Sequence, residues 1–215
     1  MIKFSQRLCI VISLFALASC SSAYYSAMEK VGIHKRDIMV DRVGEAKESQ
    51  QEAQEQFKSA LAEMTALINF DGGDLEDQYN EIQDQYEDSK AAAELVSLRI
   101  EKIEDVSEAL FDEWQDEIEE ISSSNLKRQS TAKLRETQRR YKTLIKSMYK
   151  AESKMAPVLS ALKDNSLFLK HNLNAKAVGA LQGEIVSIKK DVAVLINDMN
   201  AAIEQSQKFI DMLEQ

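Results

Sequence analysis

The feature that most constrains this chain is a heptad seam. Apolar residues recur at alternating steps of four and three, the 3.5-residue period by which long helices pack side by side. The first run is Met39, Val43, Ala46, Gln50, Ala53, Phe57, Ala60, Met64 and Leu67, with only Gln50 polar. A second runs from Leu75 through Ile82, Ala93, Ile100, Trp114 and Glu117 to Ile121. A third runs from Leu134 through Leu144, Ala151 and Leu162 to Leu169, and a fourth from Val178 through Ile188 and Met199 to Leu213. One Pro and six Gly supply too few turn residues for an all-β chain.

The breaks between runs have their own chemistry. Asn69-Phe70-Asp71-Gly72-Gly73-Asp74 offers glycines that tolerate positive φ and an Asp to cap the next helix. Ser122-Ser123-Ser124-Asn125 presents side chains that compete with a helix for backbone bonds. The heptad phase slips between His171 and Asn174, where Asn174 suits an N-cap and Leu173 with Val178 suits a hydrophobic staple. The third seam passes through Pro157 unshifted, which predicts a kink within one helix, the alternative being a stop and an in-phase restart. The expected helices are therefore about 25–69, 75–121, 126–171 and 175–213, each roughly 60–70 Å long. Short connections make neighbours antiparallel. The predicted fold is all-α: an elongated antiparallel four-helix bundle or coiled coil of long helices, one domain over residues 20–215. A three-helix bundle with a detached fourth helix is the runner-up.

Charge is segregated along the chain. Residues 41–120 carry a net −19 and residues 121–190 a net +11, inside an overall −9. The basic run, from Lys127 and Arg128 through Arg139 to Lys146, resembles an anion site in isolation. Folding the second helix back on the third, with facing positions summing to about 247, sets acids against bases. Glu120 then meets Lys127, Glu119 meets Arg128, Asp112 meets Arg135, Glu108 meets Arg139, Asp105 meets Lys142 and Glu101 meets Lys146. Exposed pairs contribute little each, about 0–1 kcal/mol, but together they select a register. The bases are thus expected to be structural, with no nucleic-acid partner.

The first twenty residues read as an address. Lys3 and Arg7 precede an apolar stretch from Leu8 to Ala18, too short to span a membrane, which is the pattern of a secretory signal over 1–19. It closes on Leu17-Ala18-Ser19-Cys20, similar to the bacterial lipobox whose Cys is acylated, with palmitate among the added chains. Cys20 would then anchor the mature chain, of net charge −11, to a membrane; each buried acyl CH₂ contributes about 0.8 kcal/mol. Ser21, in place of an Asp, implies outer-membrane sorting in lipoproteins of this type, with the chain on the periplasmic face.

Few residues suggest further chemistry. Asp71, Asp74, Glu76 and Asp77 surround two glycines and are weak candidates for a metal, although the spacing is not that of an EF-hand loop. The run Asp112, Glu113, Asp116, Glu117, Glu119 and Glu120 reads as a solvated helix end. His34 and His171 lack the Glu three residues earlier that di-iron bundles use. There is no phosphate-binding loop and no nucleophile in an elbow or triad context. No cofactor and no catalytic residue is expected. Tyr24, Tyr25, His34, Lys35 and Arg36 lie in the least regular stretch, next to the expected anchor. They suit contact with lipid headgroups or a partner, set against a plain first helix weakened at Gly32.

The segments YYSAMEKVGIHKRDIMVDRV, NFDGGDLE, SEALFDEW and FLKHNLNA resemble an uncharacterised family of Gram-negative lipoproteins, known as a domain of unknown function. The resemblance spans nearly the whole mature chain and carries no catalytic residue. The expectation is a lipid-anchored envelope protein, non-enzymatic, presenting helices to an envelope protein or to another copy of itself. The alternative is a binding module for a metal ion or cationic ligand through its acidic clusters.

Overall fold

The computed structural model describes residues 23–68, 75–172 and 174–215. The signal segment, Cys20, Ser21, the turn at 69–74 with Asp71 and Asp74, and Leu173 of the expected staple lie outside them. Among the described residues every regular element is an α-helix, and the protein is an all-α helical bundle. The elements are α1 (23–30), α2 (Lys35–Ile68), α3 (Leu75–Glu120), α4 (Ser124–Lys170) and α5 (Ala175–Leu213).

The helix expected from about 25 to 69 is broken once. Gly32 takes φ 85°, a conformation that a side chain disfavours, and it ends α1. Its N–H bonds the Glu29 carbonyl at 3.0 Å and the Ile33 N–H bonds Met28 at 3.0 Å, the paired closure of a helix C-terminus. His34 then opens α2. Its carbonyl accepts from Ile38 N–H at 3.1 Å, and the Asp37 carboxylate accepts the His34 N–H at 3.2 Å, one half of a capping box.

The other boundaries follow the same physics. Ser123 caps α4, its carbonyl accepting from Lys127 N–H at 2.9 Å. Asn174 holds the N-cap place of α5, its carbonyl accepting from Val178 N–H at 3.3 Å. α4 continues through Pro157 as one helix. Pro157 has no N–H to donate, so the helix forgoes one backbone bond there.

The seams are buried as the period requires. Met39, Val43, Ala53, Phe57, Ile103, Met148, Ala151, Leu195, Met199 and Ala202 are wholly shielded from solvent, and so is the one polar residue of the first seam, Gln50. Each large apolar side chain so buried contributes about 1.5–3 kcal/mol. One seam position fails: Glu117 is exposed and Ile118 is buried in its place, a one-residue slip that keeps the carboxylate in water.

The chain packs as two compact units. In the first, residues 23–42 assemble with Lys102–Gln138. Ile38 and Met39 join Ile103, Val106, Leu110, Ile118 and Leu134 in its core. The second, Val43–Glu101 with Arg139–Gln215, is an antiparallel four-helix arrangement. Contacts Glu45–Arg99 and Gln56–Gln85 join α2 to α3; Ser97–Glu152 and Gln83–Ser166 join α3 to α4. Lys150–Asp198 joins α4 to α5, and Gln54–Asn200 with Lys47–Gln207 closes α5 back on α2.

The register of α3 on α4 is within two or three residues of the expected one: Gln83 faces Ser166 in the second unit, and Trp114 faces Ser130 in the first. The ion pairs expected at that register do not form. Glu119–Arg128, Glu120–Lys127, Asp112–Arg135 and Glu101–Lys146 are absent from the contacts of the described residues. Lys127 crosses the turn but donates to the Glu119 carbonyl oxygen at 3.2 Å. Asp105 takes the Tyr25 hydroxyl at 2.7 Å. Exposed long side chains gain too little from such pairs to be held in one rotamer, so register is set by apolar packing.

Candidate functional site

A groove with a volume of about 780 Å³ lies in the second unit, between α3 and α4. It is open to solvent along its length. Tyr86, Ala93 and Ser97 of α3 and Tyr149, Met155, Ala156 and Leu159 of α4 line it. The cause is local: Ala93, Ser97, Ser153 and Ala156 are small where a bundle surface ordinarily carries longer side chains, so the space between the two helices stays unfilled. The rim is charged. Lys90 lies 3.8 Å from Glu94, and the Ser97 hydroxyl donates to the Glu152 carboxylate. A groove of this size, apolar at its centre and polar at its rim, is shaped to receive a ligand or helix.

A smaller hollow of about 300 Å³ lies between α4 and α5, lined by Asp164, Asn165, Phe168, Ala180, Leu181 and Glu184. The Asn165 amide donates to the Ala161 carbonyl at 2.7 Å, while its oxygen finds no partner in the protein. Gln50, deep in the core of the second unit, has neither amide atom partnered.

The interaction candidates near the N-terminus separate into two kinds. Tyr24 is 42% exposed, and His34 and Arg36 are exposed. Tyr25 is buried and Lys35 is nearly so, and both tie the segment down within the first unit. Burial and the hydrogen bond to Asp105 hold the Tyr25 phenol well above its ordinary range, so it stays a donor at any physiological pH. The Lys35 ammonium bonds Glu29 and, at 2.7 Å, Glu113. Burial works against its charge, but the two carboxylates outweigh burial and raise its pKa. The same cluster splits the acids: burial pushes Glu113 up, while the Lys35 hydrogen bond pulls Glu29 down.

Trp114 spans the α3–α4 end of the first unit, its indole N–H donating to the Ser130 hydroxyl at 2.9 Å. Of the four metal candidates, Glu76 and Asp77 stand exposed on the first turn of α3, where carboxylates favour a helix N-terminus. Among the described residues no group of three or more His, Cys, Asp or Glu converges, and no helix is long and apolar enough to cross a membrane.

A family model described as a protein of unknown function, DUF2959, matches residues 24–213. The chain belongs to the DUF2959 family. No curated protein and no solved structure matches it. The match begins at Tyr24, so the α1 hairpin and its Tyr25 and Lys35 ties belong to the family domain. The groove was not anticipated from the sequence. Its signal was present: the run Ala91-Ala92-Ala93 on α3, with Ser153 and Ala156 on α4, marks where the surface has no bulk.

Proposed function

We propose that this DUF2959 chain is a lipid-anchored envelope protein, non-enzymatic, whose α3–α4 groove is a docking face for a protein partner. The observation that carries the reading is the groove: long, open and apolar at its centre, it suits an elongated partner better than an enclosed substrate. The anchor is supported by Leu17-Ala18-Ser19-Cys20 closing an apolar segment that follows two bases. The acidic balance, −9 over the chain, speaks against nucleic acid as the partner. Ser21 supports the outer membrane as the destination, with the domain on the periplasmic face.

Two measurements test this. Cys20→Ala should move the chain from the membrane to the soluble envelope fraction and abolish palmitate incorporation; retention in the membrane would overturn the anchor. A photo-reactive residue at Ala156 in the full chain should give a discrete crosslinked product in the intact envelope. Its absence would remove the groove as a docking face.

A further inference from the structure

Beyond the partnered Lys90, Glu94 and Glu152 of the rim, four charges at the two ends of the groove form no ion pair among the described residues, and they are arranged in a self-complementary way. Glu94, Ser97 and Glu101 follow the spacing of one helix face, and so do Lys146, Tyr149 and Ser153. Glu101 thus lies on the groove side of α3 and Lys146 on the groove side of α4. The contacts Ser97–Glu152 and Gln83–Ser166 fix the register, which brings Glu101 and Lys146 to one level at one end of the groove. The same register brings Glu87 and Lys163 to one level at the other end. All four are exposed, and among the described residues none forms an ion pair. Just beyond the groove's lining, α3 therefore carries an acid at each end and α4 a base at each end, while Lys90 and Glu94 on α3 and Glu152 on α4 lie between them.

We propose that a second copy of this chain docks groove to groove, about a twofold axis running along the groove parallel to α3 and α4. Such an axis exchanges the two walls. It lays α3 of one copy over α4 of the other at the same level, because a rotation about the groove direction leaves position along the groove unchanged. Glu101 then meets the partner's Lys146, and Glu87 meets the partner's Lys163, each contact occurring twice. Between them Tyr149, Ala156 and Leu159 of α4 close on the partner's α3 around the level of Ala93 and Ser97. An isologous interface must be complementary to itself, and a largely apolar centre with opposite charges at matching levels at both ends satisfies that condition. A face of two helices over this stretch offers about 500 Å² per copy, so the total of about 1,000 Å² is near the lower bound for a specific contact. The dimer is accordingly concentration-dependent and sensitive to salt.

The proposal rests on reading the groove as a docking face, and it names the occupant. The test uses sedimentation of the full-length chain in detergent over a range of concentrations. Wild type should dimerise. Glu101→Lys and Lys146→Glu should each weaken the dimer roughly tenfold, because each sets like charges together at two points. Mixing the two variants should restore it, since Lys at 101 of one copy then faces Glu at 146 of the other and the wild-type pair survives at the second point. Both positions are exposed, so an unchanged melting temperature confirms that the variants fold. A wild-type chain that stays monomeric, or a mixture that is no tighter than either variant alone, overturns the proposal. The Ala156 photocrosslink separates the two readings: a product at twice the chain mass supports the second copy. A product with another protein or a lipid overturns it, leaving a docking face only in the first case. No product overturns both.

Discussion

The two compact units contain segments of the same long helices yet are held by different means. The second unit carries mostly apolar seams on four helices, with Phe57, Met148, Leu195 and Met199 fully buried. The first has a shorter apolar core and adds specific polar ties: Tyr25 to Asp105, Lys35 to Glu29 and Glu113, and Trp114 to Ser130. The difference follows from helix length. A helix of two turns such as α1 cannot sustain itself in water, because the cost of nucleation is spread over few bonds. It persists only if side chains bind it to a longer element. Helices of 46 and 47 residues need no such ties, and their polar contacts are mostly peripheral.

The largest effect that sharpens this contrast is expected in the second unit. Phe57→Ala should cost about 3–5 kcal/mol in urea unfolding, from lost transfer energy and the cavity left behind. A cost under about 1 kcal/mol would mean that the seam is not the main support of that unit. In the first unit, Lys35→Met should cost about 1–3 kcal/mol, since it leaves the half-buried Glu113 beside Glu29 without a cation. Hydrogen exchange should speed up at 23–30 and stay unchanged across α5. Equal acceleration in both places would erase the distinction between the units. Gln50→Met should stabilise the second unit by about 1 kcal/mol, because the buried amide has no partner in the protein. A loss of stability there would reveal a water bound to the amide.

The smallest effect concerns pH. The Lys35 hydrogen bond holds the Glu29 carboxyl below its ordinary value of 4.5, so its contribution is present above that value and fades as pH falls through its folded pKa. Glu113, raised above 4.5, takes up its proton first, and the Lys35 bridge to α3 weakens before the bridge to Glu29. Lys35, itself raised, contributes its charge at all pH values below 10.5 and loses it only above. Exchange at 23–30 should therefore slow slightly on acidification as the half-buried Glu113 takes up its proton above 4.5, then rise as Glu29 is protonated below it. A flat profile for 23–30 between pH 6 and 3 would show that the bridge does not hold α1.

Much of the fold was legible because a heptad is a local pattern. The residues from Met39 to Leu67 and from Val178 to Leu213 share one stripe whatever lies opposite, so their burial follows from spacing alone. The site was less legible. The groove depends on what two helices leave unfilled between them, and no single helix records that. Of the N-terminal candidates, Tyr25 and Lys35 looked alike to Tyr24 and Arg36 in sequence; the return of α1 at Gly32 turned the first two inward.

The sequence by itself determined that this chain is a bundle of long helices, which positions enter its core, and how α3 registers on α4. Apolar burial decides these, and it is large, additive and read from spacing. Only the tertiary structure decided where the charges went. Opposite charges stood at matching levels on α3 and α4, yet Glu101 and Lys146 face solvent without pairing to each other. The physical reason is the small value of an exposed ion pair beside the entropy of two long side chains.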